Sequence, residues 1–257
     1  MNETPTPEPQ YPQTPQPRTV QVALPNVKPY ATYAILGVTI LIYLLQLAGQ
    51  YLLKVDLVTA IGIKYNPFIR QGELWRLITP VFLHGSILHI AFNMYALFIY
   101  GRGLESRYGH FRFLLLYFLS AFAGNVLSFL LTPNSSLGAS TAIFGLIAAE
   151  AVFILQNRTL LGKQANRGLM NLLYIAGVNL LIGFTTTGVD NWGHIGGMLG
   201  GLIFAWFGGP RWKLEGVYPS MRLVDEREGH GALQGATMVL LFFIPLTALG
   251  WFWIVGQ

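Results

Sequence analysis

Residues 113–149 read FLLLYFLSAFAGNVLSFLLTPNSSLGASTAIFGLIAA, 37 consecutive positions without Asp, Glu, Lys or Arg. A bilayer is crossed by about 20 apolar residues, so the stretch is too long for one span. The cluster TPNSS at 132–136 divides it, because proline beside small polar residues marks a turn. Two membrane helices follow, about 112–131 and 138–157. Working outward, the uncharged intervals 30–53, 77–101, 168–189, 191–210 and 229–257 hold one span each. The predicted helices there are about 30–52, 79–101, 168–185, 191–208 and 233–255, which makes seven. The composition agrees: 53% of the 257 residues are hydrophobic and 11% are charged, against roughly a quarter charged in soluble domains. The fold class is therefore all-α, a polytopic helical bundle in a membrane.

With no cysteine, the chain has no disulfides, thiolate metal sites or cysteine nucleophile. Residues 1–29 are rich in proline and polar groups and lack an apolar core like that of a signal peptide, so they read as a disordered cytoplasmic tail. Residues 209–257 read as a charged cytoplasmic loop followed by the seventh span. Cytoplasmic loops carry the excess of Lys and Arg. With the N-terminus inside, twelve of the sixteen Lys and Arg residues fall on the inner side, and Lys54, Lys64, Arg70 and Arg76 fall in the long first outer loop. The orientation is N-terminus in and C-terminus out, in an integral multi-pass protein of the cell (plasma) membrane. The net charge of +5 then reports orientation and contact with membrane lipids, with no nucleic-acid partner implied.

In that topology spans two, four and six run from outside to inside, so the polar residues near their starts share the outer part of the bilayer. HGSILHIAFNMY supplies His84, His89 and Asn93, GASTAIFG supplies Ser140, and NWGHIGGMLGG supplies His194. Such groups are costly in lipid and face a bundle interior or a wet cavity, which makes them functional candidates. His89 and Asn93 are one turn apart on one helical face, whereas His84 is placed at the cavity mouth. Phe144 lies one turn below Ser140, where its ring can pack on an imidazole. His194, Gly197 and Gly201 share a stripe, and small residues at that spacing let membrane helices approach closely. That contact brings His194 to Ser140.

A serine hydroxyl becomes a nucleophile when a base takes its proton, and histidine, with a reference pKa of about 6.5, suits that task. No aspartate lies within a predicted span and Asp190 sits in a loop four residues before His194, so a Ser–His dyad is expected instead of a triad. The oxyanion formed on a peptide carbonyl needs donors; Asn93, His89 and the Ser140 backbone N–H are available. No metal and no cofactor is called for.

In this pattern the chain resembles the rhomboid intramembrane serine proteases over roughly 30–208. The likeness rests on Trp75–Arg76 in the first loop, HGSILHIAFN, GRGLESRYG with Glu105 between Gly101 and Gly109, GAST, and GHIGGMLGG, in that order. It implies a six-helix core at 30–208 with Ser140 as nucleophile, His194 as base, and His89 and Asn93 aiding the oxyanion. Gly138 takes the glycine of a Gly-x-Ser motif, and Trp75 and Arg76 belong to a structural first loop lying partly in the outer leaflet. The implied substrates are transmembrane segments of other proteins, cut near the outer face. Gly193 stands where alanine is usual and Phe144 where tyrosine is also common. The seventh helix is similar to the six-plus-one arrangement of part of the family.

Plainer readings exist for each residue. A serine after TPNSSLGA is a good helix cap, His194 alone is a packing residue as readily as a base, and Trp75–Arg76 serves as an interfacial anchor. Glu105 is read as satisfying backbone donors at the inner end of span two. Glu150 lies ten residues beyond Ser140, roughly 15 Å deeper, too far to be the base; it is either protonated or directed at the inner interface toward Arg158. The loop 184–191, FTTTGVDN, is expected to cover the site. As alternatives, a catalytically inactive rhomboid-like protein that binds membrane clients needs no intact Ser and His, and a transporter needs polar groups at the midplane. There is no H-E-x-x-H zinc motif and no aspartate pair in the spans.

The charge count predicts that a topology reporter fused at Gln257 reads as external. An internal reading means that one of the seven spans is wrong, the seventh first.

Overall fold

The computed structural model describes residues 26–217 and 220–255, without the side chains of 253–255. Residues 1–25, most of the expected tail, lie outside the described residues. The chain builds α1 (Tyr30–Ala48), which runs on through one wide π-type turn at Gly49–Leu53. The first loop then folds into two short helices, α2 (Leu57–Gly62) and α3 (Asn66–Arg70), and two 3-10 turns, Leu74–Leu77 and Thr79–Phe82. The bundle continues with α4 (Ile87–Tyr108), α5 (His110–Leu131), α6 (Ser140–Gln156), the single turn α7 (Arg158–Leu161), α8 (Gln164–Thr185) and α9 (Asn191–Gly208). An antiparallel hairpin, β1 (Trp212–Glu215) and β2 (Arg222–Asp225), leads to α10 (Gly231–Val255).

The second span differs from its expected limits of 79–101. Thr79–Phe82 is a separate 3-10 turn and Ser86 starts α4, its hydroxyl accepting the His89 amide at 3.2 Å. The helix then continues through Arg102, Glu105 and Arg107 to Gly109, whose φ of +75° ends it. Charge does not stop this helix because the charges are satisfied. Glu105, fully buried, accepts from the amides of Ala31 at 2.8 Å and Thr32 at 2.7 Å, and from the Thr32 hydroxyl at 2.6 Å. It therefore caps α1 from another helix, at an end where Pro29 offers no side-chain cap. The region 209–230, expected as a plain loop, carries the hairpin; Arg112 joins it to the bundle through Asp225 at 2.7 Å and the Arg227 carbonyl at 2.8 Å.

Among the described residues four helical stretches are long and apolar enough, by length and composition, to cross a membrane: Tyr30–Leu53, His110–Leu131, Gln164–Thr185 and Gly231–Phe252. Large apolar side chains such as Phe92, Tyr174 and Phe252 are exposed around the outside, as a bilayer solvent requires. The interior is organised on α9. A methyl group at Gly197 would run into the carbonyl oxygen of Thr141, and one at Gly201 into the backbone of Gly145, so α6 and α9 touch backbone to backbone. On the other side of α9, a methyl at Gly196 or Gly200 would come within 2.7 Å and 2.5 Å of Ala123 on α5. Absence of side chains is thus what permits these crossings.

Gly197→Ala should accordingly lower stability by about 1–3 kcal/mol, the usual cost of overpacking, as measured by thermal unfolding in detergent. Gly37→Ala is the control, since that position on α1 is exposed with nothing within 4 Å. Equal melting of the two variants would show that α6 and α9 have room to separate.

Candidate active site

Ser140 is the first residue of α6, and the cap position before it is held by Ala139 in helical conformation, so the serine is not the N-cap. Its Oγ instead lies 2.9 Å from Nε2 of His194. The approach to this serine is a tight one. Gly138 has φ +132°, a conformation that favours glycine, and its amide donates to the Pro80 carbonyl at 2.9 Å. A methyl there would stand 2.7 Å from His89 Nε2. The glycine therefore lets the imidazole of His89 sit against the segment that delivers the serine.

His194 lies in the first turn of α9 and is largely buried. Phe144 stacks on its ring, with centroids 4.3 Å apart and planes 18° from parallel. With the serine hydroxyl donating, Nε2 accepts and the ring proton belongs on Nδ1, which has no partner among the described residues. Asp190 does not reach it. That carboxylate caps α9, accepting from the Gly193 amide at 2.9 Å and from the hydroxyl of Ser128. A Cβ at Gly193 would lie 3.0 Å from Asp190 Oδ2 and 3.1 Å from Thr141 Cγ2, so glycine relieves crowding at this cap.

His89 accepts from the Gly85 amide through Nδ1 at 3.5 Å, which leaves Nε2 as a donor on the side of Gly138. Asn93, one turn further, donates one amide hydrogen to the His89 carbonyl at 3.0 Å and keeps a second. Both line a cavity of about 840 Å³ together with Ser140, Thr141, Phe144 and His194. His84 is a correction: it is buried behind His89, edge to face at 4.9 Å, and accepts from the Ala139 amide at 3.5 Å. It lies outside the cavity lining because it precedes α4 and its backbone is pinned by Gln46, which both donates to and accepts from it. Thr187, Gly188, Val189 and Asp190 form the cavity rim, and Thr187 and Gly188 are exposed.

A family model described as the rhomboid domain matches residues 71–211. The chain belongs to the rhomboid family. Over 190 residues it is 38% identical to Rhomboid protease GluP of Bacillus subtilis, covering 74% of this chain and 37% of that protein. RHOMBOID-like protein 6, mitochondrial, of Arabidopsis thaliana is 39% identical over 141 residues, 54% of this chain and 45% of the relative. Rhomboid-like protease 3 of Toxoplasma gondii is 40% identical over 144 residues, 55% and 54% of the two chains. The chain thus spans about half or less of the length of these relatives.

Within this rhomboid bundle the first loop is held by its polar residues. Trp75 donates from its indole to the Ile61 carbonyl at 3.1 Å, and Arg76, 3% exposed, bonds Glu73 at 2.7 Å and the Ile63 carbonyl at 2.8 Å. Glu150 forms a two-pronged ion pair with Arg107, not Arg158, at the end of α4 far from Ser140. Two loop residues passed over in the sequence, Lys64 and Asn66, reach across to the end of α5 and the segment feeding Ser140. The available signal was a lysine placed against the charge rule in an outer loop.

Proposed function

We propose that this rhomboid is an intramembrane serine endopeptidase that cuts transmembrane segments of other proteins near the outer face. The observation that carries the reading is the 2.9 Å hydrogen bond between Ser140 and His194 inside a cavity of the membrane bundle. In the reaction Ser140 Oγ attacks the scissile carbonyl as its proton passes to His194 Nε2. His194 then hands that proton to the leaving amine, and a water activated by the same imidazole releases the acyl group. Phe144 holds the ring plane. No third member is required, because the only carboxylate beside the dyad among the described residues, Asp190, is engaged as the α9 cap.

Charge builds on the carbonyl oxygen in the transition state, and preorganised donors are worth most there. We assign that role to His89 Nε2–H, the second Asn93 amide hydrogen and the Ser140 backbone N–H, because all three residues line the cavity. The core at 30–208 carries the chemistry, with the N-terminus cytoplasmic in the plasma membrane and α10 as an added span. Substrates enter from the lipid, and water enters past the exposed rim at Thr187 and Gly188.

Purified protein should be labelled by a fluorophosphonate at Ser140 alone, with labelling and cleavage of a transmembrane substrate lost together in Ser140→Ala and in His194→Ala, since such residues act as a unit. Cleavage by Ser140→Ala at a comparable rate would sink the assignment. Asn93→Ala should lower turnover by roughly 10²–10³ with the fold intact; unchanged turnover removes it from the site.

A further inference from the structure

One residue of the first loop makes four hydrogen bonds to the segment that leads into Ser140. The Lys64 amide donates to the Ser136 carbonyl and its carbonyl accepts from the Ser136 amide, both at 3.1 Å. Its ammonium donates to the carbonyls of Thr132 at 2.9 Å and Asn134 at 2.8 Å. Lysine is almost never fully buried without partners, and this one has 0% exposure. Thr132 is the C-cap of α5, so the cation sits at the negative end of that helix. Beside it Asn66 donates to the carbonyls of Phe129 at 3.1 Å and Thr132 at 3.0 Å. Among the described residues no carboxylate bonds the ammonium; Asp190 is held by Ser128 and the Gly193 amide.

We propose that Lys64 is a positioning residue: its buried ammonium grips the 132–136 segment and so fixes Gly138 and Ser140 against His89 and His194. The inference rests on Ser140 being the nucleophile. Substituting this cation should move the serine by releasing its tether, without touching any reacting group.

A pH dependence follows from the geometry. Burial pulls the ammonium down to about 8, with Asp190 opposing that shift. Asp190 is the charged group acting on it; residues 128–137 carry no titratable side chain, and Arg76 is spent on Glu73 and on the neighbouring Ile63 carbonyl. A neutral amine donates more weakly than an ammonium, so the grip loosens as pH rises through about 8. Global stability moves the other way. The folded lysine releases its proton more readily than the unfolded one, so between about 8 and 10.5 deprotonation favours the folded state. The signature is an alkaline loss of reactivity without unfolding.

The experiment is the rate of fluorophosphonate labelling of the purified full chain from about pH 6 to about pH 10, in which a loss centred on about 8 lies above the titration of a histidine at about 6.5. Wild type should lose labelling with a midpoint of about 8 while still folded. Lys64→Arg, which keeps its charge at these pH values, should carry the activity to higher pH. Lys64→Met should be slow throughout, with no such midpoint. A flat wild-type profile, or the same midpoint in Lys64→Met, overturns the proposal. A second readout is amide hydrogen exchange over residues 134–140 at neutral pH, which should be faster in Lys64→Met; equal protection also overturns it. If Lys64→Met does not fold, the wild-type and Lys64→Arg profiles decide. If wild type is not labelled at all, the protease reading has failed, and hydrogen exchange alone decides whether Lys64 holds the segment.

Discussion

The crossing of α6 and α9 without side chains between them is the constraint on which the rest of the molecule turns. Gly197 faces the Thr141 carbonyl and Gly201 faces Gly145. Thr141 follows Ser140 directly, and Gly197 lies one turn after His194. The backbone contact that closes the two helices is therefore the one that sets the serine-to-imidazole distance. In lipid there is no hydrophobic gain in joining two apolar helices, so fit and hydrogen bonding must hold them. The glycines supply fit, and Gly196 and Gly200 extend it to α5 on the opposite side. In contrast α8 buries only Ala165, Leu172 and Gly183. One flank of the cavity is rigid by backbone packing and the other is loosely held.

A second constraint is that polar backbone groups at membrane depth have no water to turn to. Here the caps come from distant parts of the chain. Glu105 on α4 caps the start of α1, Lys64 and Asn66 cap the end of α5, and Asn125 within α5 donates to the Leu77 carbonyl at 3.1 Å. The Glu105 bonds tie α4 to α1, whereas those of Lys64, Asn66 and Asn125 tie the first loop to α5. The loop is consequently a structural part of the site: Pro80 receives the Gly138 amide, and Lys64 pairs with Ser136.

The helical class, the break at 132–136 and the glycine stripe on α9 were legible because each is a local pattern read against bilayer thickness or helical period. His84 was misplaced because the start of α4 depends on Ser86 as a cap, and an uncharged interval carries no information about caps. The end of α4 was missed because Glu105 and Arg107 look like termination signals until their partners, α1 and Glu150, are known. The second glycine face, toward α5, was invisible for a similar reason: small residues announce a close approach but not the neighbour. Lys64 was read as one more loop charge, since nothing in its own neighbourhood of the sequence reveals the carbonyls it meets.

That last point bears on the proposed orientation. The positive-inside count treats every cation as free to report its compartment, yet Lys64 and Arg76 are 0% and 3% exposed, with their donors spent on carbonyls and on Glu73. They belong to the fold and drop out of the outer tally, which leaves Lys54 and Arg70. The same reasoning removes Arg107 and Arg112 from the inner side, through Glu150 and Asp225. The excess on the proposed cytoplasmic face survives both corrections and becomes proportionally larger. A long first loop rich in lysine and arginine is therefore compatible with an outer location, because half of its positive charge is internal to the structure.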